Sequence, residues 1–243
     1  MRPPRNEYKY FIYKKQKDLL LEFWSRYLVK DPYTDKLGKT PILSMYYDTQ
    51  DLLFYYEKLD GIQDRNKVRL RVYDYSFKEG IPCFLEMKQR FGDKVRKLRV
   101  FEENFTQDLF DLEKWKFKEN AGRHYFGEVM SRYYLRPVAQ VFYMRDAYQA
   151  LVEKDVRVTF DTSLMGFHPY QKITKELLVE KENSLMSEEM CILEIKNNSG
   201  DIPKWILTGI EKMGLVQRSI PKYISAVEKL KINDFKLNTG EYL

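Results

Sequence analysis

The sequence predicts an α+β fold in which antiparallel strands enclose a polar interior. The first observation is a strand-like segment, Lys67–Val72, in which charged and apolar residues alternate. Alternate side chains of a strand share a face, so the basic residues Lys67, Arg69 and Arg71 would line one side. The same alternation returns at Glu86–Arg90, Lys97–Arg99, Arg157–Asp161, Glu194–Lys196 and Glu7–Lys9.

Turn signals and helical stripes are the second and third observations. Glu79-Gly80 and Gly92-Asp93 separate strands predicted at 66–75, 82–90 and 95–101, which indicates an antiparallel meander. Between 14 and 29 the spacing becomes helical, and one stripe carries most of the large apolar side chains: Leu20, Phe23, Trp24, Tyr27 and Leu28.

The remaining elements follow in chain order. The aromatic segment 5–13 is β-prone, 42–47 is a strand, and Asp48–Asp51 caps a short helix that ends at Lys58. An uneven helical pattern follows at 106–130, with apolar core positions at Phe110, Leu112, Trp115 and Phe117. Later strands are predicted at 138–145, 155–161, 172–180 and 190–196, and helices begin after Pro203 and Pro221, at 204–213 and 222–230.

Composition limits the function. In 243 residues the hydrophobic fraction of 44% supports a folded core, and a net charge of +6 favours anionic partners. Nucleic acid, anionic lipid and polyphosphorylated small molecules all satisfy that charge. No linker divides the chain, so residues 1–243 are predicted to form a single domain. Without an apolar run of eighteen residues or a secretory signal, we expect a cytoplasmic protein with no direct membrane insertion.

Cysteine and histidine contribute no recognisable site. Two cysteines cannot make a disulfide framework, and the two histidines are isolated, so no zinc constellation is expected.

The charged faces allow two interpretations. A single alternating strand ordinarily has a solvated face with weak surface ion pairs. Arg69 beside Arg71, and Lys97 beside Arg99, instead place like charges on neighbouring positions of one face. Such cations repel unless water or an anion lies among them, which favours a wet interior that holds a polyanion.

Three carboxylates accompany these cations. Glu7, Glu86 and Glu194 each precede a lysine by two residues, and their hard oxygens suit Mg²⁺ or Mn²⁺. Each could equally be an ion-pair partner that orients its lysine, and metal binding is favoured over that alternative only for Glu194.

In order and spacing these motifs resemble the vacuolar transporter chaperone (VTC) catalytic domain, in the triphosphate tunnel metalloenzyme superfamily. The resemblance covers nearly the whole chain and rests on Arg5-x-Glu7-x-Lys9-Tyr10, Tyr46-Tyr-Asp48-Thr49, Lys67-Val-Arg69-x-Arg71, Leu85-Glu86-x-Lys88, Tyr143-x-Arg145-x-Ala147-Tyr148, Arg157-x-Thr-x-Asp161, Leu193-Glu194-x-Lys196 and Lys222-Tyr223.

The resemblance implies an eight-stranded antiparallel β-barrel tunnel with helices packed outside. It implies a polyphosphate polymerase that transfers the γ-phosphoryl group of ATP onto polyphosphate, with Mn²⁺ or Mg²⁺ as cofactor and a possible membrane-protein partner subunit. Carried over by motif, the phosphate contacts are Lys9, Arg69, Arg71, Lys88, Lys97, Arg145 and Lys222, and Glu194 holds the metal. Arg90, Arg99, Arg157 and Lys196 are second-rank phosphate contacts, because alternation along the strands places them on the same faces as the motif residues.

Two departures from the family keep other activities open. Ser219-Ile-Pro-Lys222 replaces a Ser-Lys-Tyr sequence, and Arg90 occupies a position where the eukaryotic polymerase has histidine. A triphosphate hydrolase, with Glu7 or Glu86 as general base, and a non-catalytic polyphosphate-binding module therefore remain alternatives. Nucleic-acid binding is disfavoured because acids alternate with the basic residues and would repel its backbone.

Overall fold

Nine strands and five α-helices occur in the part of the chain described by the computed structural model, residues 6–32, 38–92, 94–111, 114, 121–198 and 202–232. The strands are β1 (Asn6–Tyr13), β2 (Leu28–Lys30), β3 (Thr40–Asp48), β4 (Arg65–Val72), β5 (Cys83–Phe91), β6 (Lys94–Glu102), β7 (Arg136–Ala150), β8 (Arg157–Phe167) and β9 (Met190–Asn197). The helices are α1 (Lys14–Phe23), α2 (Leu53–Leu59), α3 (Ala121–Tyr133), α4 (Lys204–Lys212) and α5 (Lys222–Lys229).

The strands follow the hydrogen-bonded order β1-β9-β8-β7-β3-β4-β5-β6, and β2 pairs with β7. The ladders β1/β9, β8/β9, β2/β7, β3/β4, β4/β5 and β5/β6 are antiparallel. The predicted α+β class with an antiparallel sheet is therefore confirmed, including the β4-β5-β6 meander.

The chain divides into two compact units, and both draw on β7 and β8. The first comprises residues 1–41, 143–164 and 186–220, and the second comprises 42–142, 165–185 and 221–243.

In the first unit, α1 and α4 cover one side of the strands. Leu20 and Trp24 pack with Val158 and Phe160, as the alternation of β8 predicts. Close approach of the two helices depends on Gly209, because a Cβ there would lie only 2.5 Å from the indole nitrogen of Trp24.

In the second unit, β4 contributes alternate apolar residues to the core. Val68, Leu70 and Val72 are fully buried, while the basic residues between them point to the opposite side. Asp48 organises the start of α2, because its carboxylate accepts hydrogen bonds from the backbone N–H groups of Phe54 and Tyr55.

Two element predictions were wrong. The helix predicted to reach Val29 ends at Phe23, because Leu28–Lys30 pairs with β7 as β2. The strand predicted at 172–180 is irregular and contains a short 3-10 turn, Leu177–Val179, since no neighbouring strand pairs with that described segment. Of the core residues predicted between 106 and 130, Leu112, Trp115 and Phe117 lie outside the described residues.

None of the helices in the described residues is both long enough and apolar enough to span a bilayer.

Candidate functional site

One side of β4, β5 and β6 is strongly basic. Strand parity places eight cations and one acid there, and we call these residues the cationic face: Arg65, Lys67, Arg69, Arg71, Glu86, Lys88, Arg90, Lys97 and Arg99. On β4 and β5 the face forms because most of the residues between these charges are apolar and buried, such as Val68, Leu70, Leu85 and Met87, which fixes the register.

The antiparallel register arranges this face in rows. One row joins Lys67, Lys88 and Lys97 directly across the three strands. Side chains opposite one another in a sheet have Cβ atoms only about 5 Å apart, so three ammonium groups in a row repel each other. An anion bound along this row would remove that repulsion.

The next row contains the single acid. Glu86 Oε2 lies 2.7 Å from both Nε and Nη2 of Arg69, and Glu86 Oε1 lies 3.2 Å from Nε of Arg99. Arg71 Nη1 is 3.6 Å from Oε2. Burial alone would raise the pKa of Glu86, but the arginines outweigh it and lower that pKa to about 2. One carboxylate thus orients three arginines.

Tyr46, on β3, extends this row. It lies opposite Arg69 in the register, and Arg69 Nη1 donates a 3.2 Å hydrogen bond to its hydroxyl. Burial raises the pKa of this phenol, but the charges of Lys67, Arg69 and Arg71 outweigh that effect and lower the pKa from 10.0 to about 7. The positive charge of these three residues therefore favours the phenolate form of Tyr46.

The start of α5 packs beside Tyr46. Tyr223 stacks on Tyr46 at 5.2 Å between ring centroids and donates a 2.7 Å hydrogen bond to Asp48. Lys222, the first residue of α5, is buried next to Tyr223 in the sequence. Pro221 precedes the helix, where a missing N–H leaves no helical hydrogen bond unmade.

The other residues of the second unit that are predicted to contact phosphate differ in burial and in hydrogen bonding. Arg71 is buried and donates from Nε to Ser44 Oγ at 3.1 Å, whereas Lys88 and Lys97 are exposed on the cationic face. Arg90 donates to the carbonyl of Gly92 at 2.7 Å, so its guanidinium is turned towards the hairpin end.

The first unit has a second charged cluster, centred on Arg145. Its guanidinium group makes a bidentate ion pair with Asp161, with 2.6 Å between Nε and Oδ1 and 2.7 Å between Nη2 and Oδ2. Its Nη2 also lies 3.4 Å from Glu194 Oε2. Burial would lower the pKa of Arg145, but Asp161 and Glu194 raise it well above its ordinary value. Arg145 is therefore a permanent buried cation.

Glu194 lies between cations of three strands. It pairs with Lys196 on its own strand, lies opposite Lys9 in the register, and has the side chain of Glu7 close by. Burial opposes ionisation of Glu194, yet Lys196 and Arg145 lower its pKa well below the ordinary value. Burial and the charge of Arg145 lower the pKa of Lys196 to about 8, although Glu194 partly compensates.

Within the described part of the chain, two buried side-chain atoms on β8 have no hydrogen-bond partner. They are Thr159 Oγ1, opposite Glu194 in the register, and Nε of Arg157. Arg157 nevertheless binds Asp31 through Nη2, at 2.8 Å. Lys9 pairs with Glu7 at 2.8 Å, which completes the placement of the predicted residues in this unit.

The structure thus gathers the predicted residues into two networks. The second unit brings Arg69, Arg71, Glu86 and Arg99 into contact, and the first brings Arg145, Glu194, Lys196, Glu7 and Lys9 together. Sequence reasoning missed Tyr46, Asp161 and Thr159 as members of these sites. The signals in the sequence were that Tyr46 opens the Tyr46–Thr49 motif and that Thr159 and Asp161 belong to the Arg157–Asp161 motif, on the same strand face as Arg157.

The profile of the VTC domain family matches residues 4–231, nearly the entire chain. The chain belongs to the VTC domain family. A comparison of this VTC domain with the curated proteins gave no match.

Two solved structures share its fold. A candidate adenylate cyclase from Bacillus halodurans is 9% identical, with a TM-score of 0.52, over 88% of this chain and 92% of the other. A candidate adenylyl cyclase from Hippeastrum, for which a dominant triphosphatase activity is described, is 13% identical, with a TM-score of 0.50, over 89% and 92%. At these identities the likeness shows the fold alone, which agrees with the tunnel-type fold expected from the sequence.

The VTC family implies a divalent metal, and the acids of the first unit suit one. No group of three or more histidine, cysteine or acidic side chains forms a metal cage among the described residues. Mg²⁺, however, is commonly held by one or two carboxylates together with substrate phosphates. Glu194 and Glu7 supply such a pair, and the unpartnered Thr159 Oγ1 adds a hard oxygen opposite Glu194. These donors fit Mg²⁺ or Mn²⁺.

Proposed function

We propose that this VTC domain is a polyphosphate polymerase, which transfers the γ-phosphoryl group of ATP onto inorganic polyphosphate with a divalent metal. The observation that carries the proposal is the cationic face, on which eight cations accompany one acid. A triphosphate or longer chain has the length and the charge to run along such rows.

Arginine and lysine would have different roles on this face. The planar guanidinium groups of Arg69 and Arg71 would bind non-bridging phosphate oxygens, and Glu86 would keep these groups in position. Lys88, Lys97 and Lys222 would guide the acceptor as point charges. Arg90 and Arg99 are secondary contacts on the same face.

In the first unit, we propose that Arg145, Lys9, Lys196 and Arg157 contact phosphate and that Glu194 and Glu7 hold the metal. When bound, the metal would neutralise charge on phosphate oxygens. Glu86 is paired with three arginines. A role as their ion-pair partner is therefore better supported than metal binding, and metal binding by Glu86 stays a prediction.

Phosphoryl transfer needs little covalent chemistry from the protein. A terminal oxygen of polyphosphate attacks the γ-phosphorus of ATP, the bond from that phosphorus to the β–γ bridging oxygen breaks, and ADP leaves. Catalysis of this step depends on alignment and on compensation of negative charge, both of which fixed cations supply.

A triphosphate hydrolase is the second candidate, favoured by the triphosphatase activity described for the Hippeastrum protein of similar fold. Water would then attack the terminal phosphorus and release phosphate. Glu86, with a pKa of about 2, is a weak base. Glu7, in the first unit, is the other candidate to accept the proton.

Incubation of the purified protein with ATP and Mn²⁺ separates these functions. We expect long polyphosphate on a gel together with ADP, and chelation of the metal should stop its formation. Free phosphate without chains would indicate the hydrolase. If neither product forms although triphosphate binds, the protein is a binding module.

Neighbouring residues of β6 provide a matched control. Lys97→Ala removes a cation from the proposed site, whereas Arg96→Ala removes one from the other side, where Arg96 lies over the ring of Tyr125 at 4.0 Å. We expect Lys97→Ala to lower product formation about 10-fold and Arg96→Ala to leave it unchanged. Equal effects would contradict the assignment of the cationic face.

The single domain over residues 1–243, the cytoplasmic location and the membrane-protein partner stay predictions.

A further inference from the structure

An aromatic cluster lies at one end of the cationic face, and its three rings have no part in the phosphate contacts proposed above. It comprises Tyr73, Phe84 and Phe101, together with Arg99, and we call it the aromatic end. Phe84 and Phe101 lie opposite each other on β5 and β6, one row beyond Glu86 and Arg99.

Phe84 is in contact with each of the other three side chains. The ring centroids of Phe84 and Phe101 are 5.2 Å apart, and those of Tyr73 and Phe84 are 5.6 Å apart. The Cζ atom of Arg99 lies 3.7 Å from the centroid of Phe84, and its Nη2 donates a 3.0 Å hydrogen bond to the Tyr73 hydroxyl. The hydrogen bond to Tyr73 therefore holds the guanidinium group over the ring of Phe84.

Unlike a core cluster, this one is open to solvent. Phe101 is 49% exposed, Tyr73 is 44% exposed, and the Arg99 side chain is 47% exposed. Single exposed aromatic residues are common on protein surfaces and need no explanation. Here, three rings and a guanidinium group form one surface on the same side of the sheet as the phosphate-binding cations.

We propose that the aromatic end binds the base of a nucleoside triphosphate whose phosphates lie on the cationic face. This inference rests on the proposed function and deepens it, because it assigns the site that distinguishes a nucleotide from an inorganic chain. Bases stack on aromatic rings and on guanidinium planes, and both are available here with polar atoms only at the edge.

The spacing of the rows suits this ligand. Phe84 and Lys88 are four residues apart on β5, about 13 Å at roughly 3.3 Å per residue. Arg69, Glu86 and Arg99 occupy the row between the aromatic end and the lysine row. A base on Phe101 and Arg99 would therefore direct its triphosphate past the arginines towards the lysines.

Arg99 links the two parts of the site. Its Nε pairs with Glu86, while its guanidinium carbon covers Phe84. Arg99 would thus stack on the base of a bound nucleotide. Through Glu86, the same residue is linked to Arg69 and Arg71, which would hold the phosphates.

The test compares two non-hydrolysable probes by calorimetry in the presence of Mn²⁺: adenosine 5′-(β,γ-imido)triphosphate and inorganic imidotriphosphate. Stacking on an aromatic side chain corresponds to a loss of about 10-fold in affinity when that side chain is truncated. We expect Phe101→Ala to weaken the nucleotide by about that factor and to leave imidotriphosphate unchanged. Phe101→Trp should restore nucleotide binding.

Phe91→Ala is the matched control. Phe91 belongs to the same hairpin and is also 49% exposed, but strand parity places it on the opposite side of β5. It should change neither affinity.

The outcomes separate this inference from the proposed function. If the nucleotide binds the wild-type protein no more tightly than imidotriphosphate, or if Phe101→Ala leaves nucleotide affinity unchanged, the base site is overturned while the phosphate site stands. Equal weakening of both probes by Phe101→Ala would also overturn it. If neither probe binds the wild-type protein, the proposed function fails as well.

Discussion

At the scale of single residues, the same arginines act on two acids of different strength. They lower the pKa of Glu86 to about 2 and that of Tyr46 to about 7. A carboxylate that already pairs with the arginines should shield the phenol from them. The lowered pKa of Tyr46 therefore reflects the positive charge of Lys67, Arg69 and Arg71, which acts on the phenol even with Glu86 present.

We expect one of the 19 tyrosines to ionise near pH 7, which ultraviolet difference absorbance during a pH titration would detect. Tyr46→Phe should abolish this transition. Replacement of a nearby cation, Lys67→Met, should move it to higher pH because Lys67 is the charge that most strongly favours the phenolate.

The same shift predicts a dependence of stability on pH. Between about pH 7 and 10 the unfolded chain holds the proton of Tyr46 and the folded chain does not, so this residue's contribution to the free energy of unfolding rises with pH. The contribution is lost as the pH falls through 7. If wild-type protein and Tyr46→Phe show the same pH profile of stability between pH 7 and 9, the phenol is not ionised in this range.

At the scale of elements, α1 is attached to the sheet by charge as well as by apolar contacts. Lys17 makes a close ion pair with Asp146 on β7, and its ammonium group lies 5.5 Å from the centroid of Phe160. Both side chains are largely buried, so each charge depends on the other.

Lys17→Met should lower the free energy of unfolding by about 3–5 kcal/mol in urea denaturation, because it leaves Asp146 buried and unpaired. Lys15→Met, at an exposed position of the same helix, should change it by less than about 0.5 kcal/mol. The double variant Lys17→Met with Asp146→Leu should recover much of the loss. A loss as small as that of Lys15→Met would mean that the pair contributes nothing to the docking of α1.

Strands β4, β5 and β6 could be predicted because their alternation has a period of two and glycines mark the turns. The end of α1 could not, because Tyr27 and Leu28 continue the helical stripe in the sequence. Pairing of β2 with Tyr148–Ala150 is a tertiary hydrogen-bonding effect that local pattern does not contain. For the same reason, the apolar run Leu177–Val179 suggested a strand although the described segment has no partner strand.

At the scale of the whole molecule, the cations of the site were predicted more completely than their partners. Parity within one strand is enough to place Arg69 and Arg71 on one face. The contacts of Arg69 with Tyr46, and of Arg145 with Asp161, depend on the register between strands. Register is decided by the packing of the full sheet, so a single strand's sequence does not reveal which acid meets which cation.

Binding of a polyanion should stabilise the whole chain. Tripolyphosphate at about 100 times its Kd adds about 2.7 kcal/mol to the free energy of unfolding, which corresponds to a rise in Tm of about 5–10 °C. Differential scanning fluorimetry would measure it, with orthophosphate at equal ionic strength as the control.

The rise should shrink as salt is added, because exposed members of the cationic face such as Lys88 and Lys97 are screened. A rise that orthophosphate reproduces, or that high salt leaves unchanged, would indicate that binding does not depend on a chain of phosphates along the cations.

The position of β6 at the end of the strand order has a consequence for self-association. An end strand is the place where a second copy of a chain can add by backbone hydrogen bonding, and lysine and arginine oppose such pairing. Lys97 and Arg99, the members of the cationic face on β6, make this edge repel its counterpart on another molecule. The residues that attract polyanions would thus also keep copies of the protein apart in solution, and a long polyphosphate that neutralises them would favour aggregation at this edge.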